Sequence, residues 1–399
     1  MGSGKAASVR LFEWTNVRFA AFQRHNGSDF TFLQCSGGRG CAKQGGEYDL
    51  FSGPPPQSWK CDLDAPKHQS SIAETSAILK RLVLPYRGRT MLYYTAVTGN
   101  RTILDESFTS AIRSLAVWGI TGFLETLTGV RGPIGWSGRG DGLQWISDHG
   151  ARELRELNIK LERATACPSG AFDAVLSPAA AAVLLHEAIG HVAEAAHLST
   201  GQRAFVPKRI ASEYVSAYDH ALETGGPAHY ESDDENVKCL GPTHLVHQGI
   251  LIRQLHSYGS AARTGTLPTA NGRLSCVWKP VLPRFSNLIC VPGESTEEQL
   301  VDAIHNGIYL IRLANGIYNG ADVEADIVLA EQIRNGKRTG QYMTGGQIKE
   351  HAGLLLRVTG LANNSTFYNN ALCGKDGQIL FDVGTASPAL LIRQLRVVA

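Results

Sequence analysis

Most of this chain alternates apolar and polar residues in short runs separated by glycine-rich turns, a period of two that predicts β-strands. The opening runs, residues 9–14, 17–22 and 30–33 with a turn at Asn26-Gly27, predict an antiparallel meander. Strand character returns at 90–97, 107–117, 172–176, 245–254, 287–291, 308–313, 322–330 and 390–398, with Asn335-Gly336 as a hairpin turn. Helical spacing is confined to a few segments. Residues 71–84 carry Ser71 and Glu74 as a capping box and Pro85 as the stop. Residues 142–163 predict a long charged helix with an apolar stripe through Leu154, Leu157 and Leu161. Residues 295–306 carry Ser295 and Glu298 as a box and Gly307 as C-cap, and residues 346–358 also read as helical. Residues 53–56, Gly-Pro-Pro-Pro, read as a linker.

One segment fits neither pattern. Residues 179–193 are apolar almost throughout, and Ser177-Pro178 supply an N-cap and a first-turn proline for a helix reaching about His197. Within it lie His186, Glu187 and His191. Burying two imidazoles and a carboxylate is costly unless something pairs with them. A divalent metal is the natural partner, with a flanking glutamate as general base. The familiar zinc helix spaces its histidines at i and i+4, about 40° apart; here the spacing is i+5, about 140° on a regular helix. One metal therefore demands a π-bulge between Glu187 and His191, with Gly190 as its natural place. Two satisfied core histidines are the alternative.

Catalytic zinc usually takes three protein ligands and keeps one open position. Glu194, three residues after His191, could reach the same face. Cys373 could also serve, since the Asp376-Gly377 turn would fix its thiol at a hairpin entry, although a lone cysteine is more often inert core. His244 and His247 point to opposite faces of a strand and are rejected as a metal pair. Cys35 and Cys41 sit in a glycine-rich stretch, read as a turn with two unrelated thiols because no second ligand pair follows. The eight cysteines contain no C-x-x-C pair, so no disulfide framework is expected.

The 399 residues suffice for two or three domains. A net charge of +2 without a Lys/Arg-rich run argues against nucleic acid as the main partner. No apolar stretch is long enough to span a membrane, and no signal-peptide core is read at the start, so the expected location is cytoplasmic. No internal repeat is found. The expected fold class is α+β and strand-rich. Residues 1–170 form a mixed region ending in a long helix, and residues 171–399 a β-rich catalytic region with the metal helix packed against antiparallel sheet.

Seven segments occur in a specific order: LLHEAIGHVAE (184–194), SDDE (232–235), TANGR (269–273), RFSNLICVPG (284–293), Gly307-Ile308-Tyr309, Asn335-Gly336-Lys337 and CGKDGQ (373–378). By these the chain, from about residue 87 onward, resembles the TldD/PmbA family of cytoplasmic metallopeptidases. The resemblance implies zinc on His186, His191 and Cys373, with Glu187 as base. Glu194 then stands behind the ligands or against substrate. Asn271, Arg273, Arg284 and Tyr309 fall in matched segments as further substrate-contact candidates, with a structural role as the alternative for each. The resemblance also implies a dimer, typically of a metal-bearing member with a paralogue lacking the motif, though a homodimer is also open. The pair encloses a cavity for unfolded peptide, and the intact motif marks this chain as the catalytic partner.

The chain departs from that family at Val192 and Ala195, where glycines are common, and at residues 310–316, where a glycine-rich stretch is usual. Its N-terminal region is shorter. The expected activity is therefore zinc-dependent amide hydrolysis of unfolded peptides, or of a peptidyl or amino-acyl small molecule in a peptide or natural-product processing pathway. The rival reading is a non-catalytic, zinc-containing subunit that scaffolds such a complex; an intact Glu187 argues against it, since a structural site needs no base. A DNA-modulating role finds no basic patch.

Overall fold

The computed structural model describes residues 9–25, 28–43, 90–104, 110–140, 142–195, 207–275, 280–368 and 372–399. The Asn26-Gly27 turn, the 53–56 linker and the 71–84 helix lie outside the described residues. An α+β fold results, built on two sheets.

The first sheet has five antiparallel strands in the order Ser28–Lys43, Val9–His25, Thr90–Leu104, Ser110–Glu125, Arg131–Arg139. The two opening runs are one strand, Val9–His25, interrupted by a register shift between Trp14 and Val17. Cys35 and Cys41 lie on the strand Ser28–Lys43, opposite Arg18 and Leu11, rather than in a turn. Pairing along the whole of Val9–His25 carries the strand through its glycines. The long helix follows as Gly142–Trp145, a π turn Ile146–Gly150, and Ala151–Leu161. Its Leu154, Leu157 and Leu161 are buried against Trp118, Ile134 and Trp136, and Val328 and Leu329 of the second sheet join them. This cluster fastens the two sheets together.

The second sheet is the scaffold of the site. Its central strand, Gly170–Leu176, lies between Asn306–Tyr318, which runs parallel, and Gly384–Val398, which runs antiparallel. The sheet under the motif helix is therefore mixed rather than purely antiparallel. Period-two alternation divides its faces. Ala174, Leu176, Ile308, Leu310, Leu390 and Ile392 pack with the motif helix, while Val175, Tyr309 and Leu391 pack on the opposite face with the helix Glu297–Asp302.

Several expected elements are corrected. The capping box of the 297–302 helix is Thr296 with Gln299, one residue later than expected, and Ser295 bridges Ala362 instead. Its C-cap is Ala303. Gly307 belongs to the strand Asn306–Tyr318, where a Cβ would run into the Asp173 carbonyl oxygen of the parallel neighbour. Residues 346–358 form a strand, Gln347–His351, and a 3-10 turn, Ala352–Arg357, because Gly345 and Gly346 both take positive φ and start a turn, and the strand finds partners in Asp322–Arg334 and Gly384–Val398. Residues 245–254 split into Thr243–His247 and Ile250–Leu251 around Gln248-Gly249, both at positive φ. Among the described residues, no helix is long and apolar enough to cross a membrane.

Gly307→Ala should lower the unfolding free energy by about 1–3 kcal/mol, the usual cost of overpacking. The clash involves backbone of the central strand and, at 2.8 Å, the buried Ile304. Denaturant titration checks it; an unchanged midpoint would show that the sheet can spread here.

Candidate metal centre

The motif helix is pinned at both ends. Ser177 leaves the central strand, and its backbone N–H donates to the Leu310 carbonyl at 2.9 Å. Its hydroxyl accepts from the Ala180 N–H at 3.2 Å and donates to the Ile311 carbonyl at 2.7 Å. The α-helix Pro178–Leu185 then passes into a π-helix, His186–His191. The expected bulge is thus a full π turn. Its i→i+5 bonding stacks residues five apart, and the His186 and His191 rings lie 5.0 Å apart, edge to face. Phe285 packs edge-on against both rings, at 4.7 and 5.7 Å. Gly190 makes room for it, since a Cβ there would come 2.5 Å from the Phe285 ring. Helical bonding stops at Ala193 rather than His197, because Ala193 and Ala195 exchange backbone hydrogen bonds with Leu255.

The thiol arrives on a hairpin. Cys373–Lys375 pairs with Gln378–Leu380 through Asp376-Gly377, both at positive φ, as a two-residue hairpin turn requires. Cys373 Sγ lies 3.0 Å from His186 Nε2 and 3.4 Å from His191 Nε2. These donor atoms lie within 4.8 Å of one another, and all three residues are buried. The set fits a zinc ion. The edge of a zinc tetrahedron with sulfur and nitrogen ligands is about 3.6 Å, close to the His191–Cys373 separation. His191 turns its Nδ1 to Glu194 Oε2 at 2.8 Å, which leaves Nε2 facing the thiol; a carboxylate behind an imidazole is the usual way a ligating histidine is oriented.

Electrostatics point the same way. Burial opposes ionisation of the Cys373 thiol, but His186, Arg284 and His191 outweigh it and hold its pKa well below the ordinary thiol range. Arg284 is fully buried and donates to Cys373 Sγ at 2.7 Å, to the Cys373 carbonyl at 3.2 Å and to Glu194 Oε1 at 3.3 Å. Glu194 also accepts from Lys375 Nζ at 2.6 Å and from the Phe285 N–H at 3.1 Å. Desolvation would raise its pKa, but His191, Arg284 and Lys375 together pull it well below the usual carboxylate range. Burial has the opposite result at Glu187, where it outweighs the two histidines and pushes the carboxyl up. Glu187 Oε2 stands 3.9 Å from His191 Nε2.

His186, Glu187, His191, Glu194, Cys373 and Lys375 all line one cleft of about 610 Å³. Of the five residues expected at substrate, Glu194 alone lines it. Arg284 lies behind the thiol. Asn271 donates to Asp219 at 2.7 Å and to the Arg284 carbonyl at 3.1 Å. Asp219 also accepts from the Ser286 N–H and hydroxyl, so this pair fixes the segment that carries Arg284 and Phe285. Burial pushes the Asp219 carboxyl up to about 6 against those donors. Arg273 is buried against Asp382 at 2.7 Å and over the Tyr230 ring. Tyr309 lies on the opposite face of the sheet, its hydroxyl donating to Glu297 at 2.6 Å. Four contributors went unread in the sequence. Lys375 and Gln378 were inside CGKDGQ, Phe285 followed Arg284, and Gly316 lies so close to Glu187 that a Cβ would sit 2.8 Å from Oε1.

Residues 169–399 match the PmbA/TldA metallopeptidase C-terminal domain. A metalloprotease of Methanocaldococcus jannaschii is 32% identical over 238 residues, 57% of this chain and 51% of that protein. A zinc metalloprotease TldD homolog of Saccharolobus solfataricus is 25% identical over 244 residues, 57% and 52% of the two chains. The chain thus spans about half the length of these curated relatives. The crystal structure of TldE from Thermococcus kodakarensis superposes with a TM-score of 0.64 at 12% identity, covering 99% of this chain and 97% of that one, a likeness of fold.

Replacing Glu194 by alanine would strand Arg284, and the partly buried Lys375, without their shared carboxylate. Glu194→Ala should cost about 3–5 kcal/mol of stability in metal-free protein, the usual penalty for breaking a buried ion pair. Chemical denaturation in the presence of chelator reads it, and a loss below about 1 kcal/mol would mean that water reaches this cluster.

Proposed function

The chain belongs to the TldD/PmbA metallopeptidase family, and from that premise we propose that it is a zinc-dependent peptidase whose chemistry is carried entirely by residues 171–399. The observation that carries this reading is the convergence of His186, His191 and Cys373 beside the buried carboxylate of Glu187, whose Oε2 lies 3.9 Å from His191 Nε2. These three side chains would hold the zinc. Lewis acidity towards water and towards the scissile carbonyl is what the ion supplies when bound.

The remaining work falls to the chain. Glu187 takes the proton from the attacking water and later delivers it to the leaving amine. Burial raises its pKa, the direction that strengthens a carboxylate as a base. Glu194 keeps the His191 ring in the orientation that leaves Nε2 free. Arg284 offsets the thiolate charge and anchors the hairpin backbone. Gly316 keeps the space beside Glu187 open. The substrate is an extended peptide, or a peptidyl or amino-acyl small molecule. The end of the strand Asn306–Tyr318 forms one wall of the cleft, which suits recognition of extended backbone by strand addition. The working assembly is a dimer in the cytoplasm with a family paralogue that lacks the motif.

Purified protein should carry about one zinc per chain. Cys373→Ala should lose most of it by elemental analysis, and full retention would sink the ligand set.

Glu187→Gln keeps size and most hydrogen bonding but removes the proton acceptor. Zinc content and thermal midpoint should stay close to the parent, and peptide turnover should fall by about two orders of magnitude or more. Unchanged turnover would move the base elsewhere.

A further inference from the structure

Glu187 stands at a waist between two clefts. The first is the 610 Å³ cleft described above. The second, of about 400 Å³, runs between the five-stranded sheet and the strand Asn306–Tyr318, and shares His186, Glu187, Gly316, Leu372 and Gly374 with the first. Nothing in the proposed chemistry uses this second space. Its walls include Ile134, Val183, Leu313 and Tyr368, and among the described residues lining it the ionisable side chains besides His186 and Glu187 are those of Arg312 and Tyr368.

We propose that the second cleft is a substrate subsite and that Arg312 anchors a carboxylate there. This rests on the peptidase reading only for the location of the cleaved bond. Three observations favour it. The guanidinium is held in place and only loosely paired. One N–H donates to the Gly135 carbonyl at 3.2 Å, and the Trp136 and Tyr368 rings flank it at 5.4 and 5.8 Å. Its ion-pair partner among the described residues, Glu153, is half exposed and 3.8 Å away, longer than a hydrogen bond, and already accepts from the Trp136 indole at 2.7 Å. An arginine has five donors in a rigid fork matched to carboxylate geometry, and among the described residues one of them makes a hydrogen bond, to Gly135, which leaves donors for a ligand. Secondly, the side chain is only 11% exposed, which strengthens any charge-assisted bond it makes. The main cleft offers no equivalent, since Lys375 is engaged with Glu194. Thirdly, Arg312 and Gly316 belong to one strand, and four residues of strand span at most about 13 Å. The anchored acid therefore lies within about four residues of the bond beside Glu187. Two sources supply such a group: the free C-terminus of a short peptide, or an Asp or Glu side chain.

The test uses zinc-loaded Glu187→Gln protein, to separate binding from cleavage, and fluorophore-labelled heptapeptides in matched pairs. One pair differs in a C-terminal carboxylate against a carboxamide. The others differ in Glu against Gln at successive positions. At least one acidic member should bind about tenfold or more tighter than its neutral twin, the usual value of a hydrogen bond to a charged group. The pair that discriminates identifies the source of the carboxylate. Adding Arg312→Gln should bring that ratio close to one, and Arg312→Lys should keep part of it. Equal affinity across all pairs overturns the proposal without any Arg312 variant, so a folding defect cannot hide the answer. An acid preference that survives in folded Arg312→Gln protein also overturns it. Cleavage by the Glu187 protein is read separately. Cleavage without acid preference removes the anchor and leaves the peptidase, while acid preference in binding without cleavage does the reverse.

Discussion

The centre depends on one carboxylate remaining ionised out of contact with water. Glu194 is fully buried, yet His191, Arg284, Lys375 and the Phe285 N–H all converge on its two oxygens. An isolated buried carboxylate would take up a proton. Here, these four positively polarised partners, three of them from distant parts of the chain, make the anion the stable form. The end of the motif helix, the segment at Arg284-Phe285 and the hairpin at Cys373 all bring a partner to this charge. The same packing that joins these segments brings His186, His191 and Cys373 together.

The charge pattern also explains why the cluster is suited to a cation. Arg284 pairs with both Glu194 and the Cys373 sulfur, so one guanidinium is shared between two anions. The imidazoles supply donor nitrogens towards the sulfur and are held by that contact and by Phe285. Behind this lies a further polar group, Asp219 with Asn271 and Ser286, that fixes the backbone carrying Arg284. A polar cluster of this depth is tolerable because nearly every member has a partner.

The most legible feature of the sequence was the one that broke a rule. Spacing of five between His186 and His191 is incompatible with a shared ion on a regular helix, so the π turn followed from geometry alone. The Asp376-Gly377 and Asn335-Gly336 turns, and the Ser177-Pro178 start, were legible because each rests on local backbone chemistry. What failed was non-local. Gly307 looked like a helix stop, but its reason is the carbonyl of a strand more than 130 positions earlier. Residues 346–358 have helical spacing, yet two neighbouring strands claim the segment. The matched segments named the right stretches around Asn271, Arg273 and Tyr309 but not the direction of the side chains. Strand alternation sends Tyr309 away from the face that Ile308 and Leu310 share with the motif helix.

The π turn has a geometric corollary for the helix beyond it. A π turn is an α-helix with one residue inserted, so every later position is rotated by about 100° from where an uninterrupted helix would put it. That rotation is what lets His191 face the thiol while Glu194, three positions on, meets Arg284 and Lys375. Excising a single residue between Glu187 and His191 would give the shorter, more familiar spacing, but would also turn Glu194 off its three cations. In this fold the extra residue acts as a phase shifter: it sets the directions of His191 and of its supporting carboxylate together, so that a change of spacing moves both.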